Sequence, residues 1–149
     1  MLEKYQSLCE ERQKIIVSRD RKSKNPVKHV ANNQSGNCVR QYLLDDKTVL
    51  DENLSCCDYL VLNCDKKRAY FIELKGRHVL KAKKQIECTE SRLEKEIKDF
   101  VRFYRIIYRG STHDIQSSDF INWKKKAGFH RGVPVVLAKS DRYQEQIDF

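Results

Sequence analysis

The chain has 149 residues, with 30 Lys and Arg against 21 Asp and Glu, a formal charge of +9 and a pI near 9.3. That length suits one domain, residues 1–149, with a real hydrophobic core, and no run of about 18 apolar residues is present to cross a membrane as a helix. The basic balance favours a polyanionic partner, the plain alternative being a charged surface that serves solubility.

The first residues, MLEKYQSLCEERQK, are charged and lack the apolar stretch of a signal peptide, which implies a cytoplasmic protein. Six cysteines, at 9, 38, 56, 57, 64 and 88, then read as reduced thiols. There is no C-x-x-C pair, which argues against a zinc ribbon; Cys56, Cys57 and Cys64 with a histidine form the remaining zinc-type alternative. The absence of a G-x-x-x-x-G-K-[ST] loop speaks against ATP-driven chemistry.

In chain order, Leu2, Tyr5, Leu8, Cys9, Arg12, Ile15 and Ile16 recur at helical spacing and predict an amphipathic helix over 2–17, with Glu10 and Glu11 off its apolar stripe. Residues 18–37 are polar and predict a basic loop or arm, whose Arg19, Arg21, Lys22, Lys24 and Lys28 suit phosphate contacts. His29 and His113 are isolated and read as surface residues. Val39, Gln41 and Leu43 alternate as a strand, with a return strand expected at Thr48 to Leu50 after the turn at Asp45-Asp46.

Tyr59 to Leu62 and Ala69 to Ile72 are apolar strands joined by the polar turn Asn63 to Arg68. Three charges interrupt this hairpin: Asp58 where it opens, Glu73 and Lys75 where it closes. Charges at buried strand ends are costly unless paired or bound to a metal. Antiparallel pairing sets Asp58 beside Glu73, and strand alternation sets Glu73 and Lys75 on one face. Two hard carboxylates suit Mg²⁺ or Mn²⁺, and Lys75 is suited to orient a water and stabilise developing negative charge. The plain alternative is an ion-pair cluster capping a hairpin.

His78 to Phe100 carries Val79, Ala82, Ile86, Leu93, Ile97 and Phe100 at helical spacing, with Lys81, Gln85 and Arg92 on another face. Its first turns are expected over the end of the Glu73 strand, bringing Gln85 and Lys81 to the acids. Val101 to Arg109 predicts a strand reached by a crossover and so parallel to its neighbour. A loop follows to Asp119, then a short helix over Phe120 to Phe129 and an edge strand over Val133 to Ala138. The tail DRYQEQIDF carries no pattern. Arg102, Arg105, Arg109, Lys124, Lys125, Lys126 and Arg131 form a second basic set. The fold class that results is α/β, a mixed sheet of four to five strands flanked by helices.

Asp58, then Glu73-Leu74-Lys75 closing an apolar strand, with Gly76 and a helix bearing Gln85 behind them, resembles the active-site motif of the PD-(D/E)xK nuclease superfamily. The likeness runs from about Val39 to Val101 and is strongest from Asp58 to Gln85. It implies a restriction-endonuclease-like core and metal-dependent hydrolysis of nucleic acid, with DNA favoured over RNA. It also implies that the Leu74 carbonyl joins Asp58 and Glu73 as a metal ligand, that Gln85 and Lys75 act in the site, and that a first-helix acid, Glu10 or Glu11, is a candidate further ligand. A chain of this size has no separate recognition domain, so targeting would come from a homodimer or a partner protein. The non-enzymatic alternative is a basic nucleic-acid-binding module, or assembly subunit, that keeps the fold without turnover.

Overall fold

The structure, a computed structural model, describes residues 2–21, 24, 26–46, 48–49, 56–74, 78–109 and 113–149. Three layers are stacked. The middle one is a five-stranded sheet made by β3 (Val39–Leu43), β4 (Tyr59–Asn63), β5 (Arg68–Leu74), β6 (Val101–Tyr108) and β9 (Val136–Ser140), in that spatial order. β3, β4 and β5 pair antiparallel, whereas β5 with β6 and β6 with β9 pair parallel. Helices α1 (Val79–Arg92) and α2 (Ser118–Ala127) cover one face. A three-stranded sheet covers the other, with β2 (Lys28–Asn32) between β1 (Ile15–Arg19) and β10 (Arg142–Gln146). A two-residue pair, β7 (Phe129–His130) and β8 (Val133–Pro134), links α2 to β9.

The central strands are largely apolar because both of their faces are covered. Every residue of β4 and β5 is buried. Alternation divides their side chains: Leu60, Leu62, Ala69, Phe71 and Ile106 pack with Ala82, Ile86, Leu93 and Ile97 beneath the helices. Tyr59, Val61, Tyr70, Ile72, Leu74, Phe103 and Ile107 meet Ile16, Ala31 and Ile147 of the small sheet. The crossover strand at 101–108 is parallel to β5, as the intervening helix requires.

The amino-terminal helix expected over 2–17 does not form. Leu2–Lys4 is a single 3-10 turn and Ile15–Arg19 is a strand. Residues 7–11 instead run along the outer side of β3, where Gln41 N donates to Ser7 Oγ, Leu8 N to the Gln41 carbonyl and Val39 N to the Glu11 carbonyl. Satisfying that row of backbone groups outweighs helical periodicity, and the β-branched run Ile15-Ile16-Val17 favours extended chain. Across β1, the outward carbonyls of Ile15, Val17 and Arg19 accept from Gln13 Nε2 (2.7 Å), Gln41 Nε2 (2.9 Å) and Tyr59 Oη (2.9 Å).

The polar segment 18–37 is likewise not one loop, since Lys28–Asn32 is the middle strand of the small sheet and only the connection from Asp20 to Val27 remains. The tail also forms a strand, β10, parallel to β2. Thr48 and Val49 form a turn, in which Asp46 Oδ1 accepts from Thr48 N and Oγ1; Leu50 lies outside the described residues. Helix α1 ends at Arg92 rather than Phe100, and the segment to Asp99 continues in tighter turns that keep Leu93 and Ile97 buried. Ser117 caps α2, its Oγ accepting from Phe120 N, and Gly128 ends it at φ 69, a conformation glycine adopts without strain. The strand expected over 133–138 breaks at Val135: Pro134 falls in the two-residue β8, and β9 lies at the edge of the large sheet, as expected. No helix among the described residues is long and apolar enough to cross a membrane.

Candidate active site

Asp58 is placed by the register of β4 against β5. Tyr59 lies opposite Ile72, so the preceding residue falls beside Glu73 and Leu74. Asp58 Oδ2 accepts the Leu74 amide at 2.7 Å, and the Asp58 carbonyl accepts the Leu44 amide at 2.8 Å. The aspartate is thus fastened where β3, β4 and β5 end together. Glu73 follows Ala69 and Phe71 on the helix-facing side of β5 and is 3 % exposed. The thiol of buried Cys57 reports both carboxylates. Burial raises it first, then the negative charge of Glu73, then that of Asp58, while a hydrogen bond with Thr89 opposes them. Lys75 and Gly76 lie outside the described residues.

Helix α1 meets this corner through its later turns rather than its first. Cys57 N donates to Thr89 Oγ1 at 2.8 Å, and Thr89 Oγ1 donates to the Gln85 carbonyl at 2.8 Å. Arg92 Nη1 donates to Cys56 Sγ at 3.1 Å. Gln85 is half-buried one turn before Thr89, tied by its backbone through Thr89 to the residue preceding Asp58. Lys81, a further turn back, is exposed, and Lys83 rests over Trp123 of α2. Glu11 bonds at the opposite end of β3, where its carbonyl accepts from Val39 and its carboxylate from the Cys38 thiol; Glu10 is exposed nearby. Neither glutamate is brought to Asp58, because Val39 and Leu44 are separated by about 16 Å of strand.

The same end of the molecule gathers cations. The β1–β2 hairpin turns there, since Tyr59, adjacent to Asp58, donates to the Arg19 carbonyl. Arg19, Arg21 and Lys24 are exposed and Lys28 is half-buried, whereas Lys22 lies outside the described residues. Arg142 pairs in register with Lys28, and Asp141, just before it, donates its amide to the Tyr108 carbonyl. Lys139 pairs with Ile107, itself opposite Leu74. Arg19, Lys28, Lys139 and Arg142 therefore rim the carboxyl ends of the parallel strands, together with exposed Arg109 after Tyr108. Beside the hairpin, a groove of about 340 Å³ is lined by Arg19, Arg21, Gln41 and Tyr59 with Leu8 and Ile15.

Two residues read from sequence as surface groups are in the core. His29 and Arg105 are both fully buried and converge on Glu145. His29 Nε2 lies 2.6 Å from Glu145 Oε2, which also accepts from Arg105 Nε at 2.7 Å, while Oε1 accepts from Arg105 Nη2 at 3.1 Å. Arg105 Nη1 donates to the carbonyls of Tyr104 and Val135, both at 3.0 Å. The network links β2, β10 and β6 and so fastens the small sheet, with its basic hairpin, onto the large one. Its partners lie 40 and 116 residues apart. No local pattern signals them beyond an acid placed in a strand.

Compared with known proteins, the chain matches no family model, no curated protein and no solved structure.

Proposed function

We propose that this chain is a divalent-metal-dependent nuclease with a restriction-endonuclease-like core of the PD-(D/E)xK kind, hydrolysing phosphodiester bonds in nucleic acid, with DNA as the favoured substrate through the sequence resemblance. The observation that carries the reading is the convergence of Asp58 and Glu73 at the carboxyl ends of the parallel strands, inside a rim of cations. Carboxyl ends of strands in α/β sheets are where such folds build sites. A cluster serving only to cap a hairpin would not need that rim.

The donor set fits Mg²⁺ or Mn²⁺. Two carboxylates, one nearly buried, and the adjacent Leu74 carbonyl are hard oxygen donors, and Mg²⁺ takes one or two protein carboxylates and fills its other positions with water. Among the described residues no group of three His, Cys, Asp or Glu is placed to hold a metal. A bound ion would supply a water of lowered pKa and polarise the phosphate.

The chain's own residues do the rest. Asp58 and Glu73 hold the cation with the Leu74 carbonyl. Lys75 orients the attacking water and offsets charge on the transition state. Gln85 flanks the site from α1, and Arg19, Arg21, Lys22, Lys24, Lys28 and Lys81 hold the phosphate backbone in register.

The test is incubation of the purified chain with linear, circular, branched and single-stranded DNA, and with RNA, in Mg²⁺ or Mn²⁺ with an EDTA control. Metal-dependent cleavage that disappears in Lys75→Met supports the reading. Salt-dependent binding without turnover in any substrate would instead identify a nucleic-acid-binding module.

A further inference from the structure

Among the described residues the most exposed large apolar side chain, a phenylalanine, lies at the foot of α2. Phe129 is 70 % exposed on the two-residue strand β7, and Ile121, one helix face away, is 40 % exposed. With Ile115, Pro134, Lys124 and Lys125 they line an open groove of about 370 Å³, in whose wall no carboxylate stands among the described residues. Arg131 is exposed nearby.

The hairpin that presents the ring is held firmly. Gly128 at φ 69 ends the helix, and Arg131 and Gly132 at φ 52 and 80 make the turn. His130 packs its ring edge-on against Phe103 at 5.9 Å. Val135 N donates to the Gly128 carbonyl at 3.0 Å.

A solvent-facing aromatic ring on a rigid mount, in a groove lined by Lys124 and Lys125, complements a polyanion that carries flat apolar rings. Unpaired nucleic acid has that chemistry: its bases stack on aromatic side chains while lysines follow the phosphates. A duplex keeps its base faces inside the stack and offers the ring nothing. We propose that α2 and the β7–β8 hairpin form a binding site for single-stranded nucleic acid, in which Phe129 stacks an unpaired base and Lys124, Lys125 and Arg131 contact phosphates. This rests on the reading of the chain as a nuclease, and it defines the substrate class as one with an unpaired segment. The hairpin leads into the amino end of β9, which runs parallel to β6, so the ring and Asp58 lie toward opposite ends of the parallel strands.

The experiment measures binding of the full chain, in EDTA to prevent cleavage, to a fluorescein-labelled 15-nucleotide mixed-sequence DNA strand and to the same sequence as a duplex. Phe129→Ala is expected to weaken single-strand binding by about 5- to 150-fold, the cost of one lost base stack, and to leave duplex binding within twofold. Phe129→Trp should retain single-strand affinity. A melting curve of Phe129→Ala equal to wild type establishes that the fold is intact. The proposal is overturned if Phe129→Ala leaves single-strand affinity unchanged, or lowers both affinities equally. It is overturned in favour of an acidic peptide if polyglutamate displaces the strand as well as unlabelled DNA does. A wild-type chain that binds neither DNA overturns the nucleic-acid reading itself, whereas binding without dependence on Phe129 overturns this site alone.

Discussion

Replacing Glu145 with Gln tests whether one buried carboxylate holds the two sheets together. The substitution keeps shape and removes charge. It leaves the guanidinium of Arg105, whose side chain is fully buried, without its counter-charge, and converts two or three charge-assisted bonds of 2.6 to 3.1 Å into weaker ones. Removing one partner of a buried pair costs about 3–5 kcal/mol. At roughly 2–4 °C per kcal/mol for a chain of this size, the melting midpoint should fall by about 6–20 °C. Thermal and urea unfolding followed by circular dichroism measure it. Replacing His29, Arg105 and Glu145 together by Leu, Met and Leu removes the uncompensated charge and should restore most of the loss. The pH dependence has a defined sign. Burial would raise the Glu145 carboxyl, but the hydrogen bond from His29 and the charge and hydrogen bonds of Arg105 outweigh it and hold the pKa below 4.5. Its stabilisation is therefore present above about pH 4.5 and is lost as pH falls through the folded value. Between pH 5 and 3 the wild type should lose more stability than Glu145→Gln. A variant melting within 2 °C of wild type (about 1 kcal/mol or less) would refute this account of how the small sheet is fastened.

Asp58→Asn and Glu73→Gln should each abolish cleavage and weaken Mn²⁺ uptake by calorimetry, whereas Lys75→Met should abolish cleavage while Mn²⁺ still binds; wild-type protein that takes up no Mn²⁺ would remove the metal site. Charge reversal at Arg21 and Lys24, on the hairpin tip, should weaken DNA binding on every sequence and lower the slope of log affinity against log salt by about one per lost phosphate contact. An unchanged slope would take the hairpin out of the binding surface. Cys38 and Cys64 lie next to the paired residues Val39 and Asn63, Cys64 N donates to the Cys38 carbonyl at 2.8 Å, and burial, then the neighbouring Cys38, raises the Cys64 thiol. Such cross-strand neighbours are within disulfide reach, so diamide should oxidise this pair, seen as a loss of two protons' mass on a peptide joining residues 38 and 64; capture of both thiols as separate alkylated peptides would count against it.

The centre of the fold was legible because its determinants are local. Continuous apolar runs at 59–62 and 69–72, the turn between them and the helical periodicity after 78 each carry their structure within a few residues. The register of that hairpin also placed Asp58 beside Glu73. The small sheet was not legible. β2 and β10 contain Lys28, His29, Glu145 and Gln146, charged or polar residues that read as surface until their partners are known. Glu145 neutralises the demand of both His29 and Arg105, but the three come from distant parts of the chain. The amino terminus failed for a related reason: three-to-four spacing of apolar residues is satisfied equally by a chain that docks Tyr5 and Leu8 on β3 and then enters a strand. The crossing of α1 was misplaced because spacing gives a helix its face and not its angle over the sheet. Thr89 and Arg92, not its first turn, therefore meet Cys57 and Cys56.

The side-chain amides of Gln13 and Gln41 and the hydroxyl of Tyr59 occupy the outward carbonyls of β1, just as residues 7–11 occupy the outward groups of β3. An uncovered strand margin is a template on which another chain can add a strand, and such addition seeds aggregates. Here both margins are already spent on the molecule itself. Recruitment of a second copy by strand addition at β1 or β3 would first require these bonds to break. The amide protons of Val39 and Gln41, though on an outer strand, should therefore exchange with solvent far more slowly than outermost amides usually do. Replacing Gln41 by Leu would reopen one carbonyl of β1 and one route to self-association.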